Sequence, residues 1–293
     1  MRLLSYRARS EERLGVAAGD RALPATDVLP GGPATMAALL AGGEVVLGAL
    51  RAAAASAATR IAEQGSPLAE LRLLAPLPRP GKVVAIGLNY HAHAAEQKAE
   101  LPMAPLIFAK FPTAVIGPDE AISWDPGLTA QVDYEAELAV VIGRRARNIS
   151  VGEALDFVLG YTCANDVSAR DLQFGDRQWV RGKSLDTFCP LGPVLVTTDE
   201  IPDPGVLAIS CDVNGERRQA STTGDLIFPV AAILAHCARA FTLEPGDVIL
   251  TGTPSGVGVF RDPPTFLHDG DEVAVEIQGI GRLVNRCREV AAG

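Results

Sequence analysis

At 293 residues, of which 48% are hydrophobic, the chain is long enough for one large domain with a small appendage and can fill a sizeable core. Its formal net charge of -9 comes from 26 basic and 35 acidic residues without a basic run, which argues against nucleic acid as a partner. Five widely spaced cysteines, an odd number without a Cys-x-x-Cys pair, argue against a disulfide framework or a zinc site and favour a reducing cytoplasm.

The first 75 or so residues predict a small N-terminal unit. Short apolar runs over residues 2–6 and 13–17 indicate strands, and two helical stretches follow that end near Gln64. A proline-rich connector, residues 76–81, removes backbone donors and stiffens the chain. We therefore predict two domains, residues 1–75 and residues 76–293.

Neither a secretion signal nor a membrane span is predicted in this N-terminal unit. The basic N-terminus lacks a following apolar segment, because charged residues such as Glu11 and Arg13 interrupt it. The long apolar stretch over residues 36–58 contains Glu44, Arg51 and a Gly-Gly pair, which favours an Ala-rich helix packed on protein. We expect a cytoplasmic protein with no membrane partner.

Residues 90–96 hold the first candidate catalytic pair. His93 and Glu96 are three positions apart, so in a helix they share a face, and Glu96 could orient His93 as a general base that activates water. A lone histidine in an Ala-rich, charged segment is also typical of an exposed surface, and His91 is interpreted in that way.

From residue 82 onward, short apolar runs alternate with turn signals. Asn214-Gly215 and Asp269-Gly270 are typical of hairpin turns, and one clear helix is predicted over residues 230–241. Because strands and helices do not alternate regularly, the pattern indicates a β-rich α+β domain. The strand-like runs cover, in chain order, residues 82–86, 132–142, 157–164, 194–197, 208–213, 247–250 and 272–277.

The run over residues 132–142, VDYEAELAVVI, carries two acidic residues inside an apolar strand pattern. Period-two geometry directs Glu135 and Glu137 to the same face. A helix is the alternative, and Glu-x-Glu on a strand more often marks a solvated face. The apolar residues on both faces nevertheless indicate burial, and buried carboxylates that share a pocket require a cation.

A third carboxylate, Asp166, follows the next strand, just before a helix expected to start at Ser168. Asp166 or Ser168 could simply cap that helix. If Asp166 joins Glu135 and Glu137 instead, the three form an all-oxygen site suited to Mg²⁺ or Mn²⁺.

Five segments in order resemble the fumarylacetoacetate hydrolase family, and the resemblance extends from about residue 82 to the C-terminus. It implies an α+β, β-rich fold, a mixed β-sandwich roll with a small N-terminal α+β domain, and a homodimer. The segments are AIGLNYHAHAAE (residues 85–96), DYEAEL (133–138), NDVSARD (165–171), GKSLDTF (182–188) and LTGTPSGVG (250–258).

The resemblance also assigns roles to individual residues. It implies that Glu135, Glu137 and Asp166 bind the metal, that Lys183 stabilises an enolate, and that His93 and Glu96 lie on a lid over the substrate. Lys183 could alternatively form only a salt bridge with these acids. Arg170, Gln173 and Thr253 match positions near the substrate pocket. Arg170 could instead pair with Asp171 or another acid, and the loop of Thr253 could be a simple turn.

We therefore predict a metal-dependent hydrolase that cleaves a C–C bond in a small 2-oxo acid, an acylpyruvate or fumarylpyruvate, to give pyruvate and a carboxylic acid. The family resemblance leaves a lyase or isomerase open: a decarboxylase of oxaloacetate or another 2-oxo diacid, a hydroxyheptadienedioate isomerase or a ureidoglycolate lyase. A catalytically silent scaffold is a further alternative, against which the complete set of acidic residues, Lys183 and His93 argue.

Overall fold

A computed structural model describes residues 1–291 of the chain. The α-helices are α1 (Ala25–Val28), α2 (Met36–Gln64), α3 (His91–Glu96), α4 (Arg170–Asp176), α5 (Trp179–Lys183) and α6 (Val230–Ala240). The strands are β1 (Arg2–Ala8), β2 (Glu11–Ala18), β3 (Arg21–Pro24), β4 (Ser66–Pro67), β5 (Arg72–Leu73), β6 (Val83–Gly87), β7 (Leu106–Lys110), β8 (Val115–Ile116), β9 (Ile122–Trp124), β10 (Val132–Asp133), β11 (Ala136–Ile142), β12 (Val158–Asn165), β13 (Ser168–Ala169), β14 (Cys189–Thr197), β15 (Ala208–Val213), β16 (Glu216–Thr222), β17 (Val248–Leu250), β18 (Glu272–Ile277) and β19 (Gly281–Glu289).

Most strands belong to two mixed sheets. The larger sheet has 12 strands in the order β4-β3-β2-β1-β14-β12-β11-β17-β6-β7, with β5 beside β1 and β8 beside β14. The smaller sheet has five strands in the order β16-β15-β18-β19-β9. Strands β6 and β17 are parallel, whereas β11 pairs antiparallel with both of its neighbours. The predicted β-rich α+β fold is confirmed.

Two apolar cores lie on opposite faces of the large sheet. One contains alternate side chains of β11, such as Leu138 and Val140, with residues of the smaller sheet and of α6. The other contains Ala139 and Val141 with α2 residues such as Leu50. Strand β11 is therefore buried on both faces, which explains its nearly continuous apolar sequence.

Helix α2 is, among the residues described, the one helix long and apolar enough to cross a membrane by length and composition alone. It bends at Gly43, which has φ 59°, where the sequence predicts two helical stretches. Its buried side chains, including Leu39 and Leu47, join the core against the large sheet. The expected packing of this Ala-rich helix on protein is confirmed.

The N-terminal unit shares the large sheet with the rest of the chain, because β1 pairs with β14. Both apolar cores also contain residues from before and after the proline-rich connector. The boundary between residues 1–75 and 76–293 therefore remains a proposal.

Several predicted elements differ from the observed ones. The single strand expected over residues 132–142 is interrupted after Asp133, because side chains of Asp133 and Asn165 accept the backbone N–H groups of Tyr134 and Glu135. Helix α4 begins at Arg170, after the short strand β13, and no side chain caps it. Asn214-Gly215 does form the β15–β16 hairpin, whereas Asp269-Gly270 forms a turn that leads into β18.

Candidate active site

Three carboxylates converge where β11 begins and β12 ends. Pairing of β10 with β13 and of β11 with β12 follows one register, which sets Glu135 opposite Asp166. The backbone N–H of Asp166 donates to the carbonyl oxygen of Glu135 at 2.9 Å. Glu137 lies two residues further along the same face. One oxygen from each carboxylate can be chosen so that all three lie within 4.8 Å of one another.

Three buried cationic side chains surround these carboxylates. Lys183 Nζ lies 2.8 Å from Glu135 Oε2 and 2.8 Å from Asp166 Oδ2. Lys110 forms a buried ion pair with the other oxygen of Asp166. Arg170 Nη1 lies 2.7 Å from Glu135 Oε1, and its Nε lies 2.8 Å from Asp133 Oδ2. Asp166 and Glu135 are therefore each held by two cations.

Glu137 differs because no cationic side chain of the described residues pairs with it. Its Oε2 accepts the backbone N–H of Gly252 at 2.6 Å. Burial and the charges of Asp166 and Glu135 raise the pKa of Glu137 well above its usual value. Burial would also raise the pKa of Glu135, but Lys183 and Arg170 outweigh it and hold that pKa at about 2. Burial lowers the pKa of Lys183, but Asp166 and Glu135 outweigh it, so Lys183 stays protonated.

The charge balance of the cluster fits a divalent cation. Four buried carboxylates face three buried cationic side chains, so the formal charge of the cluster is -1 when all are ionised. A divalent cation would replace repulsion at Glu137 by attraction and change the net charge to +1. Three carboxylates in this arrangement supply the oxygen ligands that Mg²⁺ and Mn²⁺ prefer. The residues present therefore fit such an ion.

The predicted His93–Glu96 pair lies on α3, beside the carboxylates. His93 Nδ1 is 2.8 Å from Glu96 Oε2, and the other oxygen of Glu96 accepts the backbone N–H of Gly256 at 2.9 Å. Only 5% of His93 is exposed, which excludes the surface interpretation. At the opposite ring nitrogen, Nε2, the side-chain amide of Gln97 lies 2.6 Å away.

Helix α3 is too short to hold this position by itself, and its neighbours anchor it. The buried amide of Asn89, at the end of β6, donates to the carbonyl oxygens of Thr251 and Phe228. Asp225 accepts the backbone N–H of Ala92 at 3.0 Å in the first turn. The ends of β6 and β17 and the segment before α6 thus position His93.

A cavity of about 190 Å³ joins these groups. A groove of about 470 Å³ near Arg7 and Met36 is larger, but none of the buried carboxylates lines it. The small cavity is therefore the candidate active site. Its polar lining contains His93, Gln97, Glu135, Glu137, Arg170, Gln173, Lys183 and Thr253, and its apolar lining includes Leu88, Leu106, Phe108, Trp179 and Phe260.

The three predicted substrate-binding residues also line this cavity, and each already has a polar contact within the protein. Arg170 pairs with Asp133 and Glu135 and donates to Gln173 Oε1 at 3.0 Å. Arg170 therefore pairs with acids other than Asp171, which was one of the two alternatives that the sequence left open. Thr253 Oγ1 donates to Ala136 O at 2.9 Å and accepts from Gln219 at 2.9 Å.

The structure adds residues that the sequence analysis did not assign to the site. Lys110, at the end of β7, pairs with Asp166. Asp133 accepts four hydrogen bonds, one from Arg170 Nε and three from backbone N–H groups. Gln97 contacts His93. A lysine that ends the apolar run LIFAK was the one local signal for Lys110; Gln97 follows Glu96 without any special pattern.

Comparison with known proteins supplies the family. The family model described as fumarylacetoacetate (FAA) hydrolase C-terminal matches residues 82–288. Oxaloacetate tautomerase FAHD2B, mitochondrial, of Bos taurus is 47% identical over 256 residues, which are 87% of this chain and 80% of the relative. Oxaloacetate tautomerase FAHD2A, mitochondrial, of Homo sapiens is 46% identical over 257 residues, with coverage of 87% and 80%. Their mitochondrial names differ from the cytoplasmic location that we expected for this chain.

Solved structures agree over nearly the whole chain. The fumarylacetoacetate hydrolase from Exiguobacterium antarcticum has a TM-score of 0.86 at 36% identity, covering 99% of this chain and 100% of that one. The 2-hydroxyhepta-2,4-diene-1,7-dioate isomerase from Mycobacterium marinum has a TM-score of 0.75 at 34% identity, covering 100% of both. Maleylpyruvate hydrolase from Sphingobium sp. SYK-6 has a TM-score of 0.81 at 30% identity, with 99% and 100% covered. This chain therefore belongs to the fumarylacetoacetate hydrolase family and is an enzyme that acts on small oxo acids.

Proposed function

We propose that this chain is a metal-dependent isomerase that interconverts the enol and keto forms of a small 2-oxo diacid of the oxaloacetate type. The observation that carries the proposal is the juxtaposition, in one small cavity, of a carboxylate cluster, a protonated lysine and a histidine base. Enol-keto exchange needs a base at C3, positive charge at O2 and transfer of one proton between C3 and O2. The names of the two oxaloacetate tautomerases that resemble this chain support the same reaction class.

Glu135, Glu137 and Asp166 would hold the ion, for which we propose Mg²⁺ or Mn²⁺. Bound there, the ion would supply Lewis acidity to a 2-oxo acid. Gly252 orients Glu137 through its backbone N–H, while Lys110 and Lys183 fix the two oxygens of Asp166. These contacts preorganise the ligand oxygens, so that little reorganisation accompanies binding.

The chain's own groups then move the proton. His93 takes a proton from C3, the C3–H electron pair forms the C2–C3 double bond, and the carbonyl electrons move to O2. Lys183 donates two N–H groups to Glu135 and Asp166 and keeps a third, which would stabilise the negative charge on O2. The enolate finally takes up the proton that His93 carries, either at O2, which gives the enol, or at C3, which restores the keto acid.

Substrate binding would use the remaining polar residues of the cavity. With the ion bound, the net positive charge of the cluster favours an anionic acid. Arg170 and Gln173 are proposed to contact a substrate carboxylate. Thr253 is proposed to contact the substrate as well, but its hydroxyl proton must first leave Ala136 O, so in its present rotamer it offers only a lone pair.

C–C hydrolysis of an acylpyruvate remains the second candidate, and the specific observation that favours it is the His93–Glu96 pair at 2.8 Å. Such a pair can activate water as well as abstract a proton. Maleylpyruvate hydrolase is among the similar structures. The same ion, Lys183 and enolate would serve both reactions, so an assay has to separate them.

The deciding experiment compares the two reactions in Mg²⁺, Mn²⁺ or EDTA. Oxaloacetate dissolved as the enol is diluted into buffer, and loss of the enol absorbance is followed against an enzyme-free sample with the same metal. Pyruvate release from acetylpyruvate and fumarylpyruvate is measured in parallel. We expect metal-dependent acceleration of the enol-keto conversion, reduced about 10²–10⁴-fold in His93→Ala. Rapid pyruvate release without that acceleration would instead establish the hydrolase.

Assembly and location also remain proposals. We propose a homodimer, on the family resemblance and on the apolar surface discussed below. All five cysteines are free and buried, which suits a reducing compartment, and the cytoplasm remains our prediction.

A further inference from the structure

The catalytic nitrogen of the proposed base is covered by Gln97. Its side-chain Nε2 lies 2.6 Å from His93 Nε2, and both residues line the cavity that contains Glu135, Glu137 and Lys183. Gln97 is partly buried and directly follows α3, so the base and its cover belong to the same segment. The proposed reactions do not use this amide.

The direction of the hydrogen bond follows from the other side of the ring. Glu96 Oε2, 2.8 Å from His93 Nδ1, belongs to a carboxylate that also accepts the backbone N–H of Gly256. An ionised carboxylate only accepts, so Nδ1 carries the ring proton. In the neutral ring Nε2 then holds the lone pair, and the amide N–H of Gln97 donates to it.

The same lone pair is what a hydrolytic water would need. A general base must lie within about 2.6–3.2 Å of the proton that it removes. Gln97 already occupies that position at 2.6 Å. A water and the amide of Gln97 would each make one hydrogen bond to His93 Nε2. The amide is favoured over a free water because it is tethered beside the ring, which gives it a high effective concentration.

A bound substrate competes with the Gln97 amide for His93 more effectively than a free water does. A 2-oxo acid held through its carboxylate by charged groups of the cavity brings C3 to the ring as part of the same binding event. Binding energy from those remote contacts can displace the amide, as free water cannot. The displaced amide remains beside the ring and fills the space next to it.

We infer that Gln97 is a specificity-determining residue that keeps water from His93 and so directs the site to proton transfer at C3 and away from C–C hydrolysis. The inference rests on the proposed function. In hydrolysis, a water would give its proton to His93 Nε2 while its oxygen bonds to the distal carbonyl carbon. The C3–C4 bond would then break, leave its electron pair on the enolate, and release a carboxylic acid. Gln97 prevents the first of these steps.

The test replaces Gln97 by alanine and by leucine in the full chain with Mg²⁺ or Mn²⁺. Alanine leaves room for a water, whereas leucine fills most of the space without a hydrogen bond. We expect hydrolysis of acetylpyruvate, measured by pyruvate release, to rise about tenfold in Gln97→Ala, a factor that corresponds to about one hydrogen bond. The ratio of hydrolysis to enol-keto conversion should rise with it, and Gln97→Leu should stay closer to the wild type.

Two controls make this gain specific. His91→Ala changes an exposed residue of the same helix and should alter neither reaction. The double variant His93→Ala/Gln97→Ala should lose the gained hydrolysis, because the water depends on the histidine. A merely structural role of Gln97 would lower both reactions and could not raise one of them.

The outcomes separate this inference from the proposed function. Wild-type protein that fails to accelerate enol-keto conversion contradicts the proposed function, whatever the variants do. Hydrolysis that does not rise in Gln97→Ala, or rises equally in Gln97→Leu, overturns the inference even when the wild type is an active isomerase. Rapid acylpyruvate hydrolysis by the wild type would overturn the inference, and it would overturn the proposed function as well if enol-keto conversion were not accelerated.

Discussion

At the scale of single residues, the site depends on one carboxylate that lacks a cationic partner. Asp166 pairs with Lys110 and Lys183, and Glu135 pairs with Arg170 and Lys183. Glu137 accepts only a backbone N–H in the described structure. An unpaired buried charge is costly, so without a cation burial and the neighbouring carboxylates favour the protonated form of Glu137. The need for a compensating cation is therefore greatest at Glu137.

Glu137→Gln tests that conclusion through stability and metal binding. Because the pKa of Glu137 is raised in the folded protein, its stabilising contribution is complete below the ordinary pKa of 4.5 and is lost as the pH rises through the raised pKa. In EDTA at pH 8 we expect Glu137→Gln to be more stable than the wild type by about 1–3 kcal/mol, an advantage that shrinks toward pH 5. Urea unfolding at both pH values measures it.

The same variant should lose the stabilisation that Mg²⁺ or Mn²⁺ gives the wild type, because one ligand has lost its charge. Glu63→Gln, at an exposed position, is the matched control and should retain it. Equal stabilisation of Glu137→Gln and the wild type by the metal would show that Glu137 is not a ligand.

At the scale of elements, the loop after β17 connects the carboxylate cluster with helix α3. Gly252 has φ +101° and donates its backbone N–H to Glu137. A Cβ at this position would lie 2.7 Å from Cβ of Asn89, which anchors the start of α3. Only glycine therefore permits this close approach of the two segments.

Gly252→Ala should consequently affect both stability and metal affinity. We expect a loss of about 1–3 kcal/mol from backbone strain, with a further cost from displacement of Asn89. Urea unfolding and calorimetric titration with Mn²⁺ measure the two effects. Gly270→Ala is the matched control, because Gly270 has φ +85° but nothing lies within 4 Å of its added Cβ. Unchanged Mn²⁺ affinity in Gly252→Ala would contradict the proposed link to Glu137.

At the scale of the whole molecule, apolar surface is concentrated beside the active site. Strand β7 is an edge strand of the large sheet. Leu101, Met103, Leu106 and Phe111, in and around it, are 46–101% exposed. An exposed apolar edge strand favours association with another chain. Between two copies of the same chain, we expect a symmetric dimer.

We expect light scattering coupled to gel filtration to give twice the mass of the chain. Met103→Lys combined with Phe111→Lys should shift the protein toward the monomer, because two charges would have to be desolvated in the interface. Val45→Lys introduces a charge at another exposed apolar residue, on α2, and should leave the mass unchanged. A monomeric wild type would contradict the homodimer.

The local sequence sufficed where a pattern is repeated or a motif is contiguous. Alternating and continuous apolar runs predicted strands such as β15 and β18 with their observed bounds, because burial acts on each residue of a strand in turn. Period-two geometry predicted that Glu135 and Glu137 share a face, and helical spacing predicted the same for His93 and Glu96, whereas the family resemblance added Asp166 to the first pair. In each, the partners are close in sequence or belong to a family motif.

Only the tertiary structure decided which charges neutralise that triad and what covers the base. Lys110 reaches Asp166 across 56 positions of sequence, and Gly252 reaches Glu137 across 115. The break of the predicted strand after Asp133 has in part the same origin, because the backbone N–H of Glu135 donates to Asn165, 30 positions further along the chain. The sequence by itself determined the strands and the shared face of Glu135 and Glu137, since local periodicity specifies both. Charge neutralisation and exclusion of water depend on distances between remote segments, which no local pattern contains.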